Sequence, residues 1–146
     1  ASLAQFSPVL PLIGGGKTKF APIYVGDVAK AIVKALELNN SEPKIYELGG
    51  PENYSFKELM EILLKEIKKK RFLLNIPFGI AKFPLAYFLQ MLPYKILTQD
   101  QIEILKNSNI VSGEFPKLKD LGISGTTIQS ILPKYIYRFR SGGQFG

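Results

Sequence analysis

The stretch FAPIYVGDVAKAIVKALEL, residues 20–38, decides the fold class of this chain. Its first six residues, 20–25, are rich in aromatic and β-branched side chains and predict a strand. Gly26 then makes a tight turn, and Asp27 is expected to cap a helix from Val28 to Leu38. In that helix the apolar residues recur on one side and the charged residues on the other. The apolar positions are Val28, Ala29, Ile32, Val33 and Leu36.

The residues that follow repeat this order. Residues 44–48 (KIYEL) predict a second short strand, expected to lie parallel to a neighbouring strand, and the Gly-Gly-Pro sequence at 49–51 ends it. Ser55 and Glu58 have the spacing of a capping box and predict a second amphipathic helix. A strand-helix-strand-helix order is typical of a parallel sheet covered by helices, so the sequence predicts an α/β fold with a βαβα segment. The buried stripe of the second helix is expected to be Phe56, Leu59, Met60, Leu63, Leu64 and Ile67.

The segments on either side of this unit are less regular. Residues 1–19 are apolar and rich in Pro and Gly, and they predict a helix remnant that runs into a loop. A short strand is expected at 72–76, followed by an unusually apolar helix from about Pro77 to Met91 that is interrupted by proline. Another helix is expected from Thr98, with Gln101 as its capping partner, to about Lys106.

The last forty residues predict short elements. Residues 107–116 are expected to form a loop with a brief strand at Ile110 and Val111. One short turn at 118–121 should stop at Gly122. Thr126 or Thr127 is expected to cap a final helix toward Phe139, which Pro133 must bend or interrupt.

The composition excludes several kinds of active site. The 146 residues are 46% hydrophobic and 21% charged, which suits one globular unit or one piece of a larger protein. There is no cysteine and no histidine, which excludes disulfides, thiolate metal sites, a cysteine nucleophile and the commonest general base. The net charge of +7 suits an anionic partner without choosing among them. With no signal peptide and no run of 18 apolar residues, the chain is expected to be soluble and to be a fragment.

Three familiar catalytic or phosphate-binding patterns fail on this sequence. Gly16-Lys17-Thr18 ends like a P-loop, but Pro11 stands where the first glycine must be, so a plain glycine loop is expected. The same glycines do not form GxGxxG, because Lys19 stands at the third glycine. None of the seven tyrosines is followed by Lys four residues on, so no Tyr-x-x-x-Lys acid/base pair is present. Asp27 at a strand-to-helix junction is expected to be a cap rather than a catalytic carboxylate.

A basic cluster precedes the most apolar part of the chain. Lys68 to Arg71 ends the second helix, where cations complement the helix dipole and are ordinarily solvated. The block from Phe72 to Leu97 carries only two charges, Lys82 and Lys95. Such a block beside a basic cluster predicts a surface for anionic lipid or an apolar partner, and an ordinary core helix is the alternative.

Several of these segments resemble a known superfamily. Residues 23–32 resemble the strand-to-helix signature of extended and atypical short-chain dehydrogenase/reductases. Residues 46–51 and 54–59 resemble the last Rossmann strand of that superfamily and the helix after it.

The second half of the chain is more specific. Residues 97–103 and 115–123 are similar to the dehydrogenase-like accessory subunits of respiratory complex I, the alpha-subcomplex subunit nine family. Bacterial relatives of that family close with a stretch like 131–145. The resemblance covers nearly the whole chain.

The resemblance implies a division of the fold. The chain is identified as the C-terminal half of an NAD(P)-binding, Rossmann-like protein. Residues 1–70 would end the Rossmann sheet, and residues 71–146 would form a mostly helical subdomain.

The resemblance also implies a cofactor, partners and a location. NADP(H) or NAD(H) would be held mainly by an N-terminal half that is not in this sequence. In this half the residues expected to line the cofactor cleft are Pro22, Tyr24 and Val25, with no catalytic or metal-ligating residue. The chain alone is expected to be inactive. Its partners would be complex I subunits or a membrane surface, reached through Phe72 to Leu97, and it would lie peripherally on the cytoplasmic face of a bacterial inner membrane or the mitochondrial matrix face.

Two other functional classes stay open at this point. The same βαβα segment occurs in NAD(P)-dependent nucleotide-sugar epimerases, dehydratases and reductases, whose substrate-binding half this could be. In that case Lys17, Lys19 or Arg71 would meet a substrate diphosphate. A nucleic-acid-binding module rests on charge alone and ranks last, so no nucleic-acid partner is expected.

Overall fold

A computed structural model describes residues 2–38, 44–80 and 103–140. In chain order its first elements are α1 (Ser2–Phe6), β1 (Val9–Ile13), a 3₁₀ turn (Gly14–Gly16), β2 (Lys19–Phe20) and α2 (Val25–Glu37). Next come β3 (Tyr54–Ser55), α3 (Phe56–Glu66), β4 (Phe72–Ile76) and a three-residue helix, α4 (Phe78–Ile80). A 3₁₀ turn (Leu118–Leu121), α5 (Ile128–Ile136) and a 3₁₀ turn (Tyr137–Phe139) complete the described elements.

Two small sheets organise these elements. β1 and β4 pair in parallel, with Val9 opposite Phe72 and Ile13 opposite Ile76. β2 and β3 pair antiparallel, with Phe20 opposite Tyr54. The α/β class with a parallel sheet is therefore confirmed, and it is compatible with a Rossmann-like fold.

The parallel pair contains a strand that the sequence did not predict. The residues of β1 were expected to belong to a helix remnant and a loop. Pro8, Pro11 and the three glycines are typical of loops, so they gave no indication of a strand. The three glycines form a plain loop, as expected, and all three have positive φ. Glycine is required at residue 14, since a Cβ there would lie 2.2 Å from the ring of Phe78.

Two predicted strands are wrong, so the βαβα segment does not form as expected. Of residues 20–25, only Phe20 is in a strand, while 21–24 are irregular and Val25 already belongs to α2. Residues 44–48 are not a strand. Among the described residues, their one backbone hydrogen bond to another segment runs from the Glu47 N–H to the Pro116 carbonyl, 2.8 Å. A strand needs a continuous partner, and the described residues offer none to either segment.

The local signals on α3 are confirmed. The Ser55 hydroxyl accepts a hydrogen bond from the Glu58 N–H (3.2 Å), and the Glu58 carboxylate accepts one from the Ser55 N–H (2.7 Å), which is a complete capping box. The apolar stripe of α3 faces inward, and Leu64 and Ile67 are buried. We call the cluster they join the α3 core; its buried members are Ala4, Leu10, Leu64, Ile67 and Ile136.

On α2, in contrast, the predicted cap is wrong and most of the apolar residues are exposed. Asp27 was expected to cap this helix, and that prediction is wrong, because Tyr24 is the N-cap and Asp27 lies within the first turn. The buried members of the neighbouring cluster, which we call the α2 core, are Ala31, Leu118, Leu121 and Ile123. Most of the apolar residues of α2 lie outside this core. We call them the outer stripe, which consists of Val25, Ala29, Ile32, Val33 and Leu36, all exposed.

The later elements follow the sequence more closely. The turn Leu118–Leu121 ends at Gly122, whose φ of 70° is the left-handed conformation expected of a glycine C-cap. Thr127 is the N-cap of α5, which accommodates Pro133 in its interior. Ile110 and Val111 are not in a strand, although Asn109 makes an isolated bridge to Phe20. The predicted helix from Thr98 lies largely outside the described residues, as does the predicted helix beyond Ile80.

Candidate functional site

A cleft of about 270 Å³ separates the start of α2 from the start of α5. One wall is made by Pro22, Ile23, Tyr24 and Val25, so the three residues predicted to line a cofactor cleft do share one cleft. The opposite wall comes from a segment about 100 residues later in the chain. Its members are Thr126, Thr127, Ile128, Ile131 and Tyr135.

Asp27 joins the two walls. Its side chain is fully buried, and its carboxylate accepts a hydrogen bond from the backbone N–H of Thr126 (2.6 Å). The other carboxylate oxygen lies 3.3 Å from the Lys30 ammonium. Burial acts to raise the pKa of Asp27, but the hydrogen bonds from Thr126 and Lys30 outweigh it and hold the pKa below its ordinary value of 3.8. Asp27 is therefore a charged link that positions the second wall relative to the first.

The Gly-Gly-Pro sequence at 49–51 lies close to both walls of the cleft. A Cβ on Gly50 would lie only 1.8 Å from the carbonyl oxygen of Pro22, so the backbone of Pro22 can sit where it does only because residue 50 is glycine. Pro51 packs against the other wall, where a Cβ on Gly125 would lie 3.0 Å from its Cδ. This role of Gly50 was missed, because the sequence indicated only a strand breaker.

Gly26 sets the position of the Tyr24 ring. A Cβ on Gly26 would lie 2.4 Å from Cε1 of Tyr24, so the ring folds back over the first turn of α2. Tyr24 thus reaches the cleft although its backbone is the N-cap of the helix. The sequence did indicate Tyr24, through its place in the strand-to-helix signature.

The lining of the cleft is apolar with a few neutral polar groups. The two threonines and two tyrosines supply hydroxyls, and the other five lining residues are Pro, Ile or Val. None of the nine lining residues has a side chain that is charged at neutral pH. Such a cleft can bind a flat apolar or aromatic group and can hydrogen-bond its edge, but the described residues that line it include no cation for a phosphate.

The cations that a substrate diphosphate would need do not meet here. Arg71 donates a hydrogen bond from Nε to the backbone carbonyl of Ala4 in α1 (2.8 Å), so its guanidinium is already bound to this helix. Lys17 and Lys19 are exposed and do not line the cleft. In the described parts of the chain, no group of three His, Cys, Asp or Glu side chains is placed to hold a metal ion.

Only the beginning of the predicted docking block, Phe72 to Leu97, belongs to the described residues. There it is β4, and its outward side is uncovered, with Phe72 80% exposed and Leu74 exposed. Residues 81–97 lie outside the described part. No helix within that part has the length and apolar character needed to span a bilayer.

Comparison with known proteins identifies relatives of the chain. It is 38% identical over 143 residues to NADH dehydrogenase [ubiquinone] 1 alpha subcomplex subunit 9, mitochondrial, of Arabidopsis thaliana, a match that covers 92% of this chain and 36% of that protein. It is 32% identical over 132 residues to the NADH-ubiquinone oxidoreductase 40 kDa subunit, mitochondrial, of Neurospora crassa, with 90% and 35% covered. The alpha subcomplex subunit 9 of Rattus norvegicus is 28% identical over 125 residues, with 82% and 32% covered.

The matches also define how much of such a protein is present. The chain spans about a third of the length of these relatives. No protein-family model matches the chain. The resemblance that the sequence motifs indicated is confirmed by the relatives.

Proposed function

Since this chain belongs to the family of the alpha subcomplex subunit 9 proteins, we propose that it is the C-terminal part of an accessory subunit of a respiratory NADH:ubiquinone oxidoreductase. The observation that carries the proposal is the 38% identity over 92% of the chain. The role is structural, in assembly or stability of the complex, without catalysis by this part. The neutral cleft supports that role, because its nine lining residues include no acid/base pair.

Copurification tests the proposed partner. The full-length protein is tagged in the cells that encode it, and complexes are solubilised in mild detergent and separated by native electrophoresis. We expect the tag to migrate with the core subunits of the oxidoreductase, as identified by mass spectrometry. A tag found only at the size of the free protein would contradict the proposal.

We propose further that the uncovered side of β4 contributes to docking on the membrane-proximal part of the complex. Phe72 and Leu74 are exposed there, and Lys68 to Lys70 stand at the start of the strand. Burying one large apolar side chain contributes about 1.5–3 kcal/mol, which exceeds what exposed lysines give at physiological salt. In this proposal the protein lies peripherally, on the cytoplasmic face of a bacterial inner membrane or the matrix face of a mitochondrial one.

Two double variants separate apolar from ionic docking. Phe72→Ser with Leu74→Ser should release most of the subunit from the complex, and because both side chains are exposed the fold should survive. Lys69→Gln with Lys70→Gln should weaken association slightly, and only this change should be imitated by added salt. Equal release by the two variants would count against apolar docking.

The cleft is proposed to contact a nicotinamide nucleotide, NADP(H) or NAD(H), that the rest of the protein holds. Its apolar walls and phenols fit a flat ring, whereas its lining offers no cation for the phosphates. Pro22, Tyr24 and Val25 would line the contact, and the phosphates would bind outside this chain. The cofactor, when bound, supplies a redox-active ring, and this chain supplies one side of its pocket.

Cofactor affinity in the full-length protein tests this contact. Tyr24→Ala should raise the dissociation constant of the reduced nucleotide about three- to tenfold, as measured by nicotinamide fluorescence, which corresponds to about 0.7–1.4 kcal/mol. Tyr137→Ala is the matched control, because Tyr137 is exposed and does not line the cleft. If both variants bind like the native protein, Tyr24 does not touch the cofactor.

A further inference from the structure

Two contacts from one neighbouring segment bracket the start of the second wall of the cleft. On one side, a Cβ on Gly125 would lie 3.0 Å from Cδ of Pro51, so Pro51 packs closely on the backbone there. On the other side, the side-chain N–H of Gln129 donates a hydrogen bond to the Tyr54 hydroxyl oxygen (2.9 Å). Residues 126–128, which line the cleft, lie between these two contacts. Their position therefore depends on both.

The Tyr54 hydroxyl makes a second hydrogen bond that strengthens the first. An ionised carboxylate can only accept, so the phenol donates its proton to Glu52 and keeps its lone pairs for Gln129. Partial burial and the hydrogen bond to Glu52 raise the pKa of Tyr54, so the phenol keeps this proton at neutral pH. A hydrogen bond to a carboxylate polarises the phenol and makes its oxygen a better acceptor. We call these three side chains the Tyr54 relay.

The Tyr54 relay acts at a different point of the second wall from the Asp27 link. Asp27 holds the backbone at Thr126, before α5 begins, whereas the relay holds the first turn of the helix itself at Gln129. The side chain of Thr127, the N-cap of α5, does not cap a helix N–H. The relay therefore supplies a restraint on this helix end that its own N-cap residue does not.

We propose that Tyr54 is a positioning residue of the cleft, which through Gln129 fixes the first turn of α5 and with it the wall against which a bound ring packs. Tyr54 is not one of the lining residues, so it acts on a ligand only through the wall. The inference rests on the proposed function in one respect, which is that the ring belongs to a nicotinamide nucleotide.

A fixed wall should favour binding because it is already ordered before the ring arrives. Without the relay, residues 126–128 would have to be ordered during binding, and this cost would appear in the dissociation constant. Tyr54→Phe removes the hydroxyl and leaves the ring in place. The two groups it frees, on Glu52 and Gln129, belong to exposed residues and can bind water, so the fold should survive.

Hydrogen exchange in the full-length protein without nucleotide tests the wall directly. In Tyr54→Phe we expect the peptide spanning residues 126–136 to exchange about two- to fivefold faster than in the native protein. The peptide spanning residues 56–66 should keep its native rate, because the Ser55 capping box is unchanged. Tyr137→Phe is the matched control, since Tyr137 is exposed and does not line the cleft. Native exchange of residues 126–136 in Tyr54→Phe would overturn the proposal.

Nucleotide affinity separates positioning from a general loss of stability. Tyr54→Phe should raise the dissociation constant of the reduced nucleotide about two- to fivefold, measured by nicotinamide fluorescence, with little change in the urea midpoint of unfolding. Gln129→Met removes the other side of the same hydrogen bond and should have the same effect. The double variant should bind no more weakly than either single variant, because one shared bond is lost. Additive losses, or losses that only follow a lower midpoint, would count against positioning.

The outcomes distinguish this inference from the proposed nucleotide contact. If Tyr24→Ala weakens binding and Tyr54→Phe does not, the contact stands and the positioning role is overturned. If Tyr24→Ala binds like the native protein, the contact fails, and exchange of residues 126–136 alone decides whether Tyr54 holds the wall. Faster exchange then supports that role and native exchange overturns it. Gln129→Met gives the same reading if Tyr54→Phe does not fold.

Discussion

α3 and α2 are amphipathic helices of similar length, yet they use their apolar sides in opposite ways. α3 buries its stripe in the α3 core, and Ile67 at its end is 0% exposed. α2 shows its stripe to solvent and places a carboxylate, Asp27, on its inner side. The periodicity of apolar residues therefore predicts that a helix forms, while the side it buries depends on which neighbours the chain itself provides.

The contrast implies that different forces hold the two regions. The α3 core is stabilised by burial of large aliphatic side chains. The α2 region depends more on specific polar and backbone contacts, above all the Asp27 link to Thr126 and the approach of Gly50 to Pro22.

The largest effect should come from truncating a buried residue of the α3 core. Ile67→Ala should lower the free energy of unfolding by about 2–5 kcal/mol, because it leaves a cavity in a packed cluster. Leu36→Ala is the control on α2 and should change it by less than about 0.5 kcal/mol, since the Leu36 side chain is mostly exposed. Chemical denaturation of the 146-residue chain measures both. Similar losses would mean that Leu36 is buried in solution and that the contrast is wrong.

A methyl group at residue 50 tests whether backbone approach holds the α2 region. Gly50→Ala should lower the free energy of unfolding by about 1–3 kcal/mol, because the new Cβ would collide with the Pro22 carbonyl. Gly79→Ala is the matched control, since a Cβ there has nothing within 4 Å. It should be neutral or slightly stabilising, because alanine favours a helix. Thermal melting of the two variants compares them directly, and a neutral Gly50→Ala would refute the close approach.

Removing the buried carboxylate should weaken the same region. Asp27→Ala leaves the Thr126 N–H without its partner, which should cost about 1–3 kcal/mol of unfolding free energy. Lys30→Ala is the control, because it removes only the exposed end of the pair, and should cost much less. Equal, small losses would show that Thr126 finds another acceptor and that Asp27 does not join the walls.

The pH dependence of stability gives an independent measure of that link. The pKa of Asp27 is lowered in the folded chain, so ionised Asp27 favours folding fully above its unfolded value near 3.8. This contribution falls as the pH drops through the lower, folded pKa. The difference in unfolding free energy between the native chain and Asp27→Asn should therefore be constant above about pH 5 and shrink in acid. A difference that grows as the pH falls would contradict the sign of the shift.

Local features of this fold could be predicted from the sequence because few residues determine them. The Ser55 capping box and the turn that stops at Gly122 depend on neighbours within five residues. β1 could not be predicted, since its partner β4 is about 60 residues away in the chain. Pro11 also lies in the middle of β1, and a proline there argues against a strand in the sequence. Residues 44–48 have strand composition without a partner strand in the described residues, so they stay irregular.

The candidate site was half predictable for the same reason. Pro22, Tyr24 and Val25 belong to one recognisable signature, and they line the cleft. The opposite wall could not be found from the sequence, because Thr126 is held beside the first wall by a hydrogen bond to Asp27, 99 positions away in the chain. Asp27 itself was misassigned as a cap, since an acidic residue in the first turn and an N-cap look alike in sequence.

The smallest effect, at the start of α3, sharpens the comparison between burial and local contacts. Ser55→Ala removes the hydroxyl that accepts from the Glu58 N–H and should lower the free energy of unfolding by about 1 kcal/mol. Thr127→Ala at the start of α5 is the control, because the Thr127 hydroxyl lies 3.3 Å from the Ser130 hydroxyl and does not cap a backbone N–H. It should cost only a few tenths of a kcal/mol. Urea denaturation resolves this difference as a shift in midpoint at constant slope. If Thr127→Ala costs as much as Ser55→Ala, the hydroxyl of Thr127 caps α5 in solution, and the second cleft wall is held at its helix end as well as by Asp27.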